Sequence, residues 1–393
     1  MNISDSSNFV FKPTSGIWPS TMQELLLRAS LLQGSEAIDA WNILRSIIDI
    51  NKLDTQSQDL LPLLYHNLRF HNIEDPLIKI FKGMYRLTWY KNHMLFKHIT
   101  NTLESLLNAH IQIILLKGAA LTTLYYKDLG LRPMADLDIL VHPNQKRLAF
   151  DILLELGWRP KLKGLINIKD EFFTTLNAFG FQNPSGYELD LHWHLFKSFN
   201  WDDVDEDFWN GAIPIIFQDM PFFSLNSIDQ LFHVCIHGVT HNMQIIRWIA
   251  DAMMTISNKD SELDWNRLIS QAHNQKLVLP LKDALFYLHC KLYAPIPIWL
   301  LKELEAYVPS NFEKREYKAY SRSIGLMGRI PKLWYKYQRN SQKSTTTVLI
   351  KHQISFLKYV QYSWRVENAW KMPFAIILKG IRRAWRTIVG KSF

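Results

Sequence analysis

Two aspartates stand two residues apart in the run Ala135-Asp136-Leu137-Asp138-Ile139-Leu140-Val141, and a third lies in Glu188-Leu189-Asp190-Leu191-His192-Trp193. Residues 136 to 141 alternate too little for a half-exposed strand and are too apolar for a loop, so they read as a buried strand carrying two acids. In a strand, residues i and i+2 share one face about 6.5–7 Å apart, which lets Asp136 and Asp138 converge on one cation cluster while Leu137 and Ile139 face the core. Burying like charges side by side costs several kcal/mol unless a cation neutralises them. Hard oxygen ligands of this kind suit magnesium or manganese.

The second acidic segment repeats the pattern, with Asp190 and His192 on one face and Leu189, Leu191 and Trp193 on the other. Asn183-Pro184-Ser185-Gly186 is a turn signal, so Phe172 to Leu195 reads as a hairpin whose second arm can supply the third carboxylate. Upstream, Ile111 to Leu116 reads as a buried strand that Lys117-Gly118-Ala119-Ala120 turns into a helix from Ala119 to Tyr126. A residue without Cβ at a helix N-terminus lets backbone amides approach a phosphate, assisted by the helix dipole. The spacing of a Walker loop is absent. Arg132, four residues before Asp136, is placed to reach an anionic group.

These are parts of a metal-dependent phosphoryl-transfer site. Asp136, Asp138 and Asp190 are the candidate catalytic and metal-holding residues. Lys117, Gly118, Ala119, Arg132 and His192 are the candidates for contacts around a nucleotide. Lys117 reads equally well as a solubilising charge at a strand end, and His192 as a packed histidine or a partner behind the ligands.

In the order strand, glycine turn, helix, Asp-x-Asp strand and later strand aspartate, the chain resembles the nucleotidyltransferase superfamily typified by DNA polymerase beta. More narrowly, Leu116 to Leu121, Arg132 with Asp136 to Val141, and Asp190 to Trp193 resemble a bacterial family of uncharacterised nucleotidyltransferases. Asp229 to His237 and Arg247 to Asp251 fit that family's helical part, and the resemblance is good over roughly residues 95 to 255. It implies a mixed sheet with helices, two Mg2+ or Mn2+ ions held by Asp136, Asp138 and Asp190, and transfer of a nucleoside monophosphate from a nucleoside triphosphate to an acceptor. The superfamily usually carries Gly-Ser or Gly-Gly in the phosphate turn. Here Gly118-Ala119 lacks the hydroxyl, which removes one phosphate contact.

The surrounding elements must position these residues. Thr21 to Leu68 shows helical apolar spacing, and Leu77 to Tyr90 and Met94 to Asn108 read as two further amphipathic helices feeding the Ile111 strand. Pro143 to Gly157 has helix periodicity and stops at a glycine. Asp202 to Asp207 lacks the glycine and glutamate spacing of an EF-hand and reads as a solvated helix start. Ser227-Ile228-Asp229-Gln230 reads as a capping box for a helix through His241, on which His233, His237 and His241 share a face. That stripe allows zinc, or a His237 turned toward the cleft. Arg247 and Asp251, four apart, read as an intrahelical pair or as a reach toward a substrate phosphate. Beyond Leu263 the chain stays helical to about Leu304, interrupted at Pro280 and Pro295-Ile296-Pro297.

The expected fold class is therefore α+β, a small mixed nucleotidyltransferase sheet flanked by N-terminal and C-terminal helical regions. The expected units are an N-terminal helical region (1–95), a nucleotidyltransferase core (96–200), a C-terminal helical domain (201–330) and a basic amphipathic tail (331–393). With 393 residues and 48% hydrophobic content the chain can bury large cores, which excludes a disordered class. Its two cysteines, Cys235 and Cys290, are far apart and suggest a reducing compartment. The start lacks a basic and apolar leader, and no run reaches the roughly 18 apolar residues of a membrane span, so the expected location is cytoplasmic or peripheral to a membrane.

The formal charge of +9 is unevenly placed. Residues 331 to 393 hold 13 Lys or Arg against the single acid Glu367, leaving 32 basic and 35 acidic residues elsewhere. Within that tail Phe374, Ile377, Leu378, Ile381, Trp385 and Ile388 line one helical side, and Lys379, Arg382, Arg383 and Arg386 another. Such a helix can dock on the protein's own body, on an anionic membrane or on nucleic acid. The leading functional expectation is transfer to a small-molecule, sugar or peptide-derived acceptor. The alternatives are transfer to RNA or protein, and a non-catalytic binding protein that docks through its basic tail.

Overall fold

The computed structural model describes residues 9–15, 18–161, 173, 175–196, 202–240, 246–258, 260, 262–321, 326–341 and 356–361. Seven strands among them form one mixed sheet: β1 (Ile113–Leu116), β2 (Asp136–Val141), β3 (Arg159–Pro160), β4 (Ala178–Gln182), β5 (Glu188–His192), β6 (Ile213–Phe217) and β7 (Met220–Ser224). Their spatial order is β3-β4-β5-β2-β1-β7-β6. The β2–β5 and β1–β7 pairs are parallel, and the other four are antiparallel. The sheet is flanked by helices on the N-terminal and C-terminal sides, as the α+β expectation requires.

Strand alternation divides the sheet into two faces. Ile113, Leu115, Leu137, Ile139, Val141, Phe179, Phe181, Leu189 and Leu191 pack on one face against Leu95, Phe96, Ile99 and Leu103 and against Phe150 and Leu153. Ile114, Leu116 and Leu140 point the other way, into a core shared with both sets of flanking helices. On that second face the sequence replaces apolar residues with Asp136, Asp138, Asp190 and His192. The sheet is therefore fully apolar beneath and interrupted by acids above, so the polar cluster is held on a packed base.

Two long-range tethers deliver the segment before β2. Asn92 is fully buried. Its amide donates to the carbonyls of Leu129 (2.7 Å) and Arg132 (2.8 Å), and its carbonyl oxygen accepts from the Met134 amide (3.2 Å). Arg132 is also buried, and its guanidinium makes a bidentate pair with Asp251 at 2.7 and 2.8 Å. Tyr126 donates to the same carboxylate at 2.8 Å, closing a link between the turn after β1, the loop before β2 and the helix Arg247–Ile256.

Several expectations need correction. The two helices read over 77–108 are one helix, Ile78–Asn108, which also crosses the boundary placed at 95. Its apolar residues, from Phe81 to Leu106, keep a continuous helical step, and no proline or cap interrupts it. The helix after β1 spans Lys117–Leu121 and continues as a π-helical turn over Thr122–Tyr126. The β6–β7 hairpin has no counterpart in the sequence reading. Gln218 and Asp219, at φ 50° and 59°, make its two-residue turn without a glycine.

The helix Ser227–Thr240 is capped one residue earlier than expected. Asn226 Oδ1 accepts from the Asp229 amide (3.0 Å) while Asn226 Nδ2 donates to Asp229 Oδ2 (2.8 Å). Arg247 and Asp251 do not pair, because Arg247 reaches Asp59 (3.0 Å) and the Pro133 carbonyl (3.1 Å) instead. In the acidic run, Asp205 is buried and bonded to His194 Nδ1 (3.0 Å) and the Leu195 amide (3.2 Å), so this part is not solvated. His241 and the amphipathic stretch 374–388 lie outside the described residues. Among the described residues no helix is long and apolar enough to cross a membrane.

Candidate active site

The site forms where β1, β2 and β5 lie side by side. Leu116 pairs with Asp138 across the antiparallel β1–β2 ladder, and Asp138 pairs with Asp190 across the parallel β2–β5 ladder. Partners in a ladder project to the same face, so the register alone brings the two carboxylates together. Lys117 follows directly in a left-handed conformation, φ 44°. Its Nζ lies 2.5 Å from Asp138 Oδ1, and His192 Nε2 lies 3.0 Å from the same oxygen. A lysine at positive φ costs on the order of 1 kcal/mol. That strain is maintained by the surrounding structure.

Electrostatics set these groups apart. Burial would raise the Asp138 carboxyl, but the Lys117 ammonium and the His192 hydrogen bond outweigh it and hold the group far below the usual carboxylate range. Burial would likewise lower Lys117, yet Asp138, with Asp136 and Asp190 behind it, keeps its ammonium above the ordinary value. Among the described residues Asp136 has no such partner. Burial and the charges of Asp138 and Asp190 push it up to about 6.

Asp190 has room because its other neighbour is a glycine. Gly180 pairs with Asp190 across β4–β5, and a Cβ there would lie 2.8 Å from Asp190 Oδ1 and 3.3 Å from Lys161 Cδ. Lys161 itself pairs with Glu188, one face-step from Asp190. Asp138, Asp190 and His192 present ligand atoms that all lie within 4.8 Å of one another, a spacing that fits one divalent cation. Among the described residues His192 Nδ1, which is buried, has no hydrogen-bond partner. Two carboxylates and an imidazole are a donor set that manganese accepts readily and magnesium tolerates. Asp136 stands beside this cluster without belonging to it.

A cavity of about 750 Å³ opens from the cluster, and Lys117, Asp190 and His192 line its floor. His233 and His237, one turn apart on the helix Ser227–Thr240, line the adjoining wall. His237 thus faces the cleft as its helical position suggested, with His233 beside it. His233 is 1% exposed, its Nδ1 has no hydrogen-bond partner among the described residues, and burial with the nearby charges of Lys117 and His192 pushes it down to about 3. It is therefore a neutral imidazole at neutral pH.

The remaining sequence candidates sit elsewhere. Ala119 is buried in the apolar core beneath the sheet. The space a Cβ would take at Gly118 is filled by Met134 Sδ (2.5 Å) and Arg132 Nη1 (2.9 Å). The glycine therefore admits these side chains where the sequence suggested an approach for phosphate. Arg132 is committed to Asp251, and none of the three is among the residues lining the cavity. Sequence reasoning missed His233, Gly180 and Lys161 as parts of the site. A glycine inside an otherwise bulky strand, Phe179-Gly180-Phe181, was the available signal for Gly180.

The family model described as "Uncharacterised nucleotidyltransferase" matches residues 55–292, more than half of the chain. Among solved structures the chain is similar to an antigenic nucleotidyltransferase-like protein from Paracoccidioides brasiliensis, at 14% identity and a TM-score of 0.33, over 53% of this chain and 96% of that one. No curated protein matches the chain. The match spans β1 to β7, the cluster of Asp138, Asp190 and His192, and the helices behind it, and the chain belongs to the family of uncharacterised nucleotidyltransferases.

Proposed function

We propose that this chain transfers a nucleoside monophosphate from a nucleoside triphosphate to a hydroxyl on a small-molecule or peptide-derived acceptor. In this reading Asp138, Asp190 and His192 hold a divalent cation, Mg2+ or Mn2+, with Asp136 as a further oxygen donor. The observation that carries it is the register of Asp138 and Asp190 on neighbouring parallel strands, with His192 within one cation's reach and a cavity above. A cation bound there would neutralise charge on the attacking and leaving oxygens.

The chain's own groups divide the remaining work. Asp190, on the cavity floor, accepts the proton of the acceptor hydroxyl. The acceptor oxygen bonds to the α-phosphorus as the bond to the bridging oxygen breaks, and the electron pair departs with pyrophosphate. Lys117, beside Asp138 on the cavity floor, would offer its ammonium to the triphosphate. In this reading contact with the triphosphate falls to Lys117, while Gly118, Ala119 and Arg132 support the turn and the loop. In this reading residues 96–200 supply the strands that carry the ligands, 1–95 helical support, 201–330 the β6–β7 hairpin and the helix that carries His233 and His237, and the start of 331–393 an outer wall.

The cavity volume falls within the usual range for small-ligand pockets, which supports a small acceptor over a folded macromolecule. The test is label transfer from α-labelled triphosphates with Mg2+ or Mn2+, using an acceptor panel and pyrophosphate release as a second readout. Asp138→Ala is expected to abolish both while the chain stays folded. Transfer retained by that variant refutes the assignment.

A further inference from the structure

The helix Ile78–Asn108 has one side in the body of the protein and the other in solvent. Phe81, Leu95, Phe96, Ile99, Leu103 and Leu106 are buried, and Asn92 ties the same side to the loop before β2, so the rotation of the helix about its axis is fixed. The outer side carries Lys79, Lys82, Arg86, Lys91 and Lys97, all exposed. None of these five side chains makes a hydrogen bond, ion pair or ring contact with a described residue. The only acid in the helix sequence, Glu104, comes after all of them. The cations are therefore clustered along one element and, among the described residues, uncompensated.

Apolar groups share this outer side. Ile80, Leu87, Trp89 and Tyr90 are 45–57% exposed, an unusual concentration within eleven residues of a helix whose opposite side already supplies the core. Lys79, Lys82, Arg86, Tyr90 and Lys97 recur at helical steps down the middle, Ile80 and Leu87 run two turns apart along one edge, and Trp89 lies on the other edge against the His93 ring (4.0 Å between centroids). Nothing lies within 4 Å of the place a Cβ would take at Gly83, so packing does not require a glycine there. The gap it leaves is bordered, three and four residues away, by Lys79, Ile80, Arg86 and Leu87. From Lys79 to Lys97 the surface is about 27 Å long, and none of its residues lines the cavity.

We propose that this side of the helix docks on an anionic lipid surface, the cations meeting lipid phosphates while Ile80, Leu87, Trp89 and Tyr90 enter the headgroup boundary. Each Lys or Arg near such a surface raises partitioning about fivefold, and Trp and Tyr favour that boundary. The mixture of residues selects lipid over other anions. A nucleic acid would take up the cations and stack on Trp89 and Tyr90, but it leaves Ile80 and Leu87 in water. A second copy of the chain would set cation against cation, because this side has no acid to answer them. The surface belongs to the helix that holds the loop before β2, and it is separate from the basic residues of 331–393.

The experiment is co-sedimentation of the full chain with vesicles of phosphatidylcholine alone and of phosphatidylcholine with about one-third phosphatidylglycerol, with binding to single-stranded poly(U) measured alongside. The parent is compared with Lys79→Gln/Lys82→Gln/Arg86→Gln, Lys79→Arg/Lys82→Arg and Ile80→Ser/Leu87→Ser. Thermal melts report on folding, and the single changes Arg86→Gln and Leu87→Ser stand in for any multiple variant that melts early. The parent is expected to bind the anionic vesicles at least tenfold better than the neutral ones. Binding should fall tenfold or more in the glutamine variant and about threefold or more in the serine variant, and it should be kept in the arginine variant. Equal binding to neutral and anionic vesicles, or none to either, overturns the proposal. Unchanged binding by the glutamine or the serine variant also overturns it, and in the first case assigns the vesicle contact to the basic residues of 331–393, which every variant retains. Tighter binding to poly(U) than to anionic vesicles, lost in the glutamine variant and kept in the serine variant, gives the surface to nucleic acid and overturns it as well.

Discussion

Asp138 Oδ1 takes hydrogen bonds from both Lys117 and His192, and much of the site's behaviour follows from that one oxygen. Removing one member of a buried ion pair typically costs about 3–5 kcal/mol, because the other charge is left without a partner. Lys117 retains 23% side-chain exposure, so the lower part of that range is expected for Lys117→Met. Added Mn2+ should restore part of the lost stability, since a cation can replace the ammonium, and melting curves with and without Mn2+ check this. Asp136 shows the opposite behaviour. With its carboxyl raised to about 6 in the folded chain, its contribution to stability is present at low pH and is lost as pH rises from about 4 to 6. Asp136→Asn is therefore expected to stabilise the cation-free chain at pH 7 by about 1–3 kcal/mol and to have little effect at pH 4, as urea unfolding at the two pH values would show.

At the scale of elements, the site is a consequence of strand register, and Gly180 is its most economical probe. Gly180→Ala places a Cβ against Asp190 Oδ1, so the carboxylate must move. Stability should fall by only about 1 kcal/mol, while Mn2+ affinity drops tenfold or more; unchanged affinity would mean that Asp190 does not hold the ion. Much of this register was legible from residue types. The acidic strand, the hairpin turning at Asn183 to Gly186 and the shared face of Asp190 and His192 all follow from a period of two. Other elements were not legible, for identifiable reasons. The β6–β7 turn uses Gln218 and Asp219 at positive φ, without the Asn-Gly signal that marks such hairpins. Asn226 caps its helix from outside the Ser-x-x-Gln pattern, which also occurs at Ser227 to Gln230 but lies inside the helix. Arg132 looked like an anion contact because its partner Asp251 lies 119 residues away, and only the fold brings them together.

For the whole molecule, the cavity is lined by four described parts of the chain: the sheet with the turn after it, the helix Ser227–Thr240, the start of the helix Val278–Leu292 and the helices from Asn311 to Ser341. Arg339 fastens the last of these through Glu316 and the Gln275 and Lys276 carbonyls. Arg339→Met leaves the buried Glu316 carboxylate without its counter-charge and is expected to destabilise the chain by about 3–5 kcal/mol in urea unfolding. A loss below about 1 kcal/mol would mean that this wall does not fold as one unit with the rest. The charge count pointed to residues 331–393 as a distinct basic region. That its first turns line the cavity was hidden, because a stripe such as Lys332, Lys336 and Arg339 reads the same on a solvated face.

In the proposed site Asp138, Asp190 and His192 together hold a divalent cation. Mn2+ titration followed by electron paramagnetic resonance tests it most directly, comparing the parent chain with Asp190→Asn and His192→Gln. Saturable binding by the parent and at least tenfold weaker binding by each variant are expected, with melting temperatures in EDTA showing that both remain folded. Equal Mn2+ binding by parent and variants, or none by the parent, would contradict it.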